Sequence, residues 1–369
     1  MPRTDLPMTT DRTWLGAAAV AVALSCLLPL RVGARAVADT LPAQLTDAQY
    51  WALIEELSEP GGYFRSDNLV SNEIYFQSVL NELTARVAPG GVYLGVGPEQ
   101  NFTYIAALRP KMVFLTDIRR GNLHTHLMYK ALFELSRDRA DFVSRLFTKP
   151  RPDGLSASSS ALDIMNAYYN DTNGQAVFDR NAKAIIDHLT VTRRLPLSDL
   201  DRQAIVQDVY YNFYWFGPLI TYNSSSNSSR GNFVTFHELM VATDENGRER
   251  SFLSSEEAFQ TVRQLHRKNL IVPVVGDFAG RRALRAVGQY VREHGATIGA
   301  FYLSNVEQYL DQSGVWRNFC ANVATMPLDA SSTFIRSASG GRSGFGRGRG
   351  LLNSLGDMMA ETARCRPAG

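Results

Sequence analysis

Cysteine is scarce, with three in 369 residues and no CxxC pair, which removes that motif's metal and redox chemistry from consideration. No lysine follows a glycine-rich loop at P-loop spacing, and no GxSxG elbow is present. His237-Glu238 has no second histidine four residues on, so the zinc-protease motif is absent. His124 and His126 stand two apart; on a helix such positions point to different faces, so no metal is expected there. Charge of one sign is lacking too. The formal net charge is +2, which gives no field that would demand nucleic acid as a partner. No internal repeat is visible. What remains is an ordinary globular composition, 45% hydrophobic and 20% charged.

One long apolar run exists, residues 14–30, preceded by Arg3 and Arg12. Ala34-Arg35-Ala36 and Ala36-Val37-Ala38 both fit an A-x-A cleavage site, so residues 1–38 are expected to be a secretory signal peptide. The run is long for a signal core and slightly short for a spanning helix, so an inner-membrane anchor through residues 14–30 is the alternative. Either way this segment meets the membrane or the export machinery, and export implies a periplasmic or extracellular protein. Cys320 and Cys365 would then meet an oxidising environment in which they could pair or stay free.

Residues 91–117, GVYLGVGPEQNFTYIAALRPKMVFLTD, read as strand, glycine turn, helix and strand. Gly95-Val96-Gly97 is a turn that brings backbone close to something. Pro98 suits a first helical turn, and the charge of Glu99 favours the positive helix end. Asp117 closes the second strand about 20 residues after Gly95, the offset at which nucleotide-binding βαβ units set a carboxylate on a ribose. Arg119 and Arg120 follow at the same strand end.

The alternation lapses between about 140 and 262, where helical stretches suggest an inserted cap. Its aromatic run, residues 210–216, could wall a pocket or pack as core. Strands are expected again at 270–275, ending at Asp277, and at 297–303, ending at Ser304, Asn305 and Glu307. Further strands are expected at 319–326 and 331–336. Residues 337–350 are Gly/Ser/Arg-rich and read as a linker, and 351–363 as a short amphipathic helix. Parallel strands bring their carboxyl ends to one sheet edge, where ligands of open α/β sheets bind. The expectation is therefore an α/β, Rossmann-like, doubly wound, mostly parallel sheet with a helical insertion, over residues 39–336, with a small-molecule crevice at the strand ends.

In the order of its elements the chain resembles class I methyltransferases. The phrases VYLGVGPEQNFTYIAALRP, FLTDIRRGNLHTHLMYKALFEL, IVPVVGDFAG and FYLSNVEQYL resemble those of an uncharacterised bacterial family with a methyltransferase-like domain, over roughly 88–336. That resemblance implies a methyltransferase-type sheet and S-adenosylmethionine as cofactor, held by Gly95, Gly97, Glu99, Asp117 and Arg119. Asp277, Asn305 and Glu307 would orient the substrate or take its proton. The alternative is an exported, non-catalytic domain of the same fold that binds a small polar ligand or a protein partner in the same crevice.

Overall fold

Short runs of β-branched and aromatic residues form the parallel part of one six-stranded sheet. They are β1 (Val92–Gly95), β2 (Met112–Asp117), β3 (Ile271–Val275), β4 (Ile298–Ser304) and β5 (Thr333–Ser339). The first three are buried along their whole length, as strands covered on both faces must be. The order is β3-β2-β1-β4-β5-β6, where β6 (Leu351–Asp357) runs antiparallel to β5 and the rest are parallel. Pro273 lies in β3, an edge strand, the place where a residue without an N–H is tolerated. The computed structural model describes residues 39–169, 174–224, 233–339 and 351–365; the expected signal or anchor segment, 1–38, lies outside them.

Adjacent residues of β4 show that both faces of the sheet are covered, because successive side chains point to opposite sides. The Phe301 ring lies 6.3 Å from Phe319 of helix Trp316–Ala324, while Tyr302 lies 5.2 Å from Tyr104 of helix Gln100–Leu108. Helices Asp47–Leu57, Ala283–Glu293 and Trp316–Ala324 pack in a row on the first side. Helices Gln100–Leu108, Arg120–Leu135 and Glu256–Arg267 pack together on the other. The sheet is thus doubly wound, and its order is compatible with a Rossmann-like fold. Between Arg120–Leu135 and Glu256–Arg267 the chain is helical, as expected, including Gln175–Asp187 and Tyr211–Phe216. Among the described residues no helix is long and apolar enough to cross a membrane.

Three expectations are corrected. Residues 319–326 form no strand: Phe319, Cys320 and Val323 are the buried side of helix Trp316–Ala324, and a short apolar run does not distinguish the two periods. Residues 337–339 continue β5, and 351–357 form β6 rather than a helix; only Met358–Thr362 is helical. The deciding factor is the open edge of β5, along which 351–357 pair antiparallel from Ser339↔Leu351 to Thr333↔Asp357. Residues 340–350 of the expected linker lie outside the described residues.

Cys320 is bonded to Cys365, across 45 residues, with the two Cα atoms 5.7 Å apart. The bond ties the C-terminal helix to Trp316–Ala324. Cys320→Ser is expected to lower stability by about 2–4 kcal/mol in urea unfolding, and reduction of the native chain should do the same. A change below about 0.5 kcal/mol would show that the tail is held by packing alone.

Candidate functional site

The strand order reverses between β1 and β4, so the crevice belongs at their carboxyl ends. The turn after β1 is held from beneath by Asn101. Its amide donates to the carbonyls of Val96, Gly97 and Pro98 at 2.9, 3.2 and 2.8 Å, and the Tyr93 hydroxyl donates to its Oδ1 at 2.9 Å. A Cβ on Gly95 would lie 1.9 Å from that Oδ1, so Gly95 is required by the support under the turn. Gly97 has a φ of +71°, and a Cβ there would meet nothing within 4 Å; this glycine faces open space. His126 Nε2 lies 2.8 Å from the Gly97 carbonyl, which only accepts, so the ring carries its proton there. Burial lowers the His126 pKa to about 4, which keeps the ring neutral. His124 turns instead to Asp201, at 2.8 Å, so the two imidazoles serve different partners, as helical geometry requires.

Residues 63–73 form one wall of the crevice. After helix Asp47–Leu57 the chain crosses the strand ends: the Glu59 N–H donates to Val275 O at 2.9 Å and Gly62 N–H to Ile118 O at 2.7 Å. Ser71 N–H then reaches the Glu99 carboxylate at 3.0 Å. Between this crossing, the turn and helix Val306–Gln312 lies a cleft of about 520 Å³. Val306, Tyr309, Leu310 and Ser313 line it, the i, i+3, i+4, i+7 stripe of that helix and its cap. Phe64 meets Tyr309 edge to face at 5.0 Å. Two non-glycine residues on the wall hold left-handed backbone, Asn68 (φ 48°) and Ser304 (φ 51°), a conformation sustained only where surrounding structure over-determines it.

Four of the expected site residues come together on this wall: Gly97, Asp117, Asp277 and Asn305. The other four are engaged elsewhere. Gly95 serves Asn101. Arg119 folds back on Asp117, with its N–H on Oδ1 at 2.9 Å and Nη2 on Oδ2 at 3.1 Å, and also donates to the Asp67 carbonyl. Glu307 is paired with Arg336 and accepts from Trp316 Nε1 at 3.0 Å. Glu99 is fully buried. In the insertion, Tyr210 and Phe213 are core and Trp215 is 64% exposed, so the aromatic run contributes nothing to the wall.

The Glu99 carboxyl is pushed up to about 7 by burial, with the nearby charge of Glu73 adding and the bond from Ser71 opposing. Its folded pKa thus exceeds the ordinary 4.5, so the native state binds more protons between those values. Stability from this group is full below about pH 4.5 and is lost as pH rises toward 7. Glu99→Gln is expected to remove that decline: between about pH 5 and 7.5 its urea midpoint should fall less than that of the native chain. Parallel profiles would refute the assignment.

Glu73, which no sequence motif marks, is the largest omission. It is fully buried, lines the cleft, and takes five donors on its carboxylate: Gln100 Nε2 and the Tyr302 hydroxyl, both at 2.8 Å, Asn353 Nδ2 at 2.9 Å, and the hydroxyls of Ser304 and Ser337. The available signal was the cluster of polar residues at 66–73 beside helix breakers. Its partners, from 27 to 280 residues away, were beyond local reading.

A family model described as Domain of unknown function (DUF7790) matches residues 67–352. The chain belongs to that family. The matched DUF7790 span opens in the segment that crosses the strand ends and closes at the start of β6, so it takes in β1–β5 and most of the cleft wall. No curated protein matches the chain.

Proposed function

We propose that the cleft binds S-adenosylmethionine and that the protein is a methyltransferase-like enzyme acting on a small molecule. The observation that carries this is the presence of Gly97 and Asp117 on one wall at the reversal of strand order. Gly97 leaves room for a close approach to the backbone, and Asp117, which ends the neighbouring strand, would take a ribose hydroxyl. The bound cofactor would supply an electrophilic methyl group. Asp277 and Asn305 would then orient the acceptor, since methyl transfer depends mainly on in-line positioning. Calorimetric titration of the full chain with S-adenosylmethionine and S-adenosylhomocysteine tests this. Heat that disappears in Asp117→Ala is expected; no heat at millimolar ligand sinks the cofactor reading.

A second reading is an exported domain that binds its ligand without methyl transfer. The Cys320–Cys365 bond favours it, because such bonds persist in oxidising compartments, away from a cytosolic methyl donor. N-terminal sequencing of the protein from cell fractions decides the location. A start at Val37 or Asp39 in the soluble extracytoplasmic fraction means cleavage; an intact N-terminus in membranes means an anchor.

A further inference from the structure

We infer that the small molecule taken by the cleft, alongside or in place of the cofactor, is a cation, an amine or quaternary ammonium, and neither an acid nor a phosphate ester. This rests on the cleft being the ligand site, as proposed above. Among the described residues the wall holds three carboxylates, Glu73, Asp117 and Asp277, and no lysine, arginine or histidine. Among the described residues only Asp117 is paired with a cation, Arg119. Glu73 is held by neutral donors alone. Asp277 is exposed, enters no ion pair among the described residues, and has Oδ1 on the Ala279 N–H at 2.9 Å.

The rest of the wall points the same way. Tyr309 presents a ring that already attracts a guanidinium: Arg65 lies 5.8 Å from its centroid. A ring face and carboxylates without a counter-ion among the described residues, lining one cleft, offer an ammonium group both a counter-charge and a cation–π contact. An anionic ligand entering the same space would be desolvated without a partner and would face like charge. Sites that take phosphate or carboxylate turn arginine or lysine toward the ligand, whereas here Arg65 lies against Tyr309, Arg119 is paired with Asp117, and neither lines the cleft.

Calorimetry on the full chain tests the charge preference with spermidine, choline, glutarate and inorganic phosphate, each with and without S-adenosylmethionine. Binding of spermidine or choline is expected, with no heat from glutarate or phosphate. Asp277→Asn and Tyr309→Leu should each weaken amine binding by roughly tenfold, while Asp199→Asn, an exposed acid in the insertion, should leave it unchanged. Thermal melting of each variant separates lost binding from lost folding. The inference is overturned if an anion binds as tightly as the amines, if neither amine binds, or if amine binding survives both wall variants unchanged. Heat from an amine without heat from S-adenosylmethionine would remove the cofactor reading and keep this one; the reverse result would do the opposite.

Discussion

Glu73→Ala is expected to lower the stability of the chain by about 4 kcal/mol or more, the largest loss foreseen for any single side chain. The reason is the number of buried hydrogen bonds it removes. Five donors converge on this carboxylate from helix Gln100–Leu108, β4, β5 and β6. A buried donor without an acceptor costs about 1–3 kcal/mol. Burial and the charge of Glu73 together hold the Tyr302 pKa well above the ordinary value, so the phenol stays a donor. Glu73→Gln keeps the shape but turns a donor group toward donors and weakens the remaining bonds, since charge-assisted bonds are roughly twice as strong as neutral ones. It should cost about half as much. Urea unfolding measures both. Because Ser337 loses its acceptor and Asn353 one of its two, β6 should open first, seen as faster amide exchange at 351–357 than elsewhere in the sheet. A loss below about 1 kcal/mol in Glu73→Ala would mean that water replaces the carboxylate and that the hub is not structural.

Removing Glu134 should cost nearly as much, about 3–5 kcal/mol in Glu134→Leu, because it strands a buried cation. Lys130, fully buried, donates from Nζ to Glu134 at 2.7 Å, the His266 carbonyl at 2.6 Å and Asn269 Oδ1 at 2.5 Å. Glu134 also takes His188 Nε2 and Arg193 Nε, each at 2.7 Å, and so joins helix Arg120–Leu135 to the insertion. Lys130→Met should cost less, since Glu134 keeps two cationic or imidazole partners while the methionine fills the stem's volume. The pH dependence has a definite sign. Burial raises the Glu134 carboxyl, but bonds from His188 and Lys130 outweigh it, and the net shift is downward. Its contribution is therefore complete above the unfolded pKa of about 4.5 and is lost as pH falls below it. Glu134→Gln should show a flatter acid limb than the native chain. Equal cost for Glu134→Leu and Lys130→Met would argue that the pair is worth no more than its packing.

Much of the architecture is local. Val92, Tyr93 and Leu94, or Ile271 to Val275, are short apolar runs bounded by turn residues, and such runs become covered parallel strands wherever they lie in a sheet. Gly97, Asp117, Asp277 and Asn305 follow strands, so strand position alone brings them to one edge. Glu99, Arg119 and Glu307 sit at equally suitable positions, and in each case a partner elsewhere in the chain turned the side chain away: Ser71, Asp67 with Asp117, and Arg336.

The amino-acid sequence by itself determined the α/β alternation, the glycine turn, the helical insertion and the edge at which polar residues gather. These depend on periodicity and turn chemistry within a few residues. Only the tertiary structure decided that β6 joins the sheet, that Cys320 meets Cys365, that residues 58–75 close the cleft and that Glu73 is its buried hub. Each of those depends on which distant surface a segment meets, and desolvation there, rather than any local pattern, selects the partner.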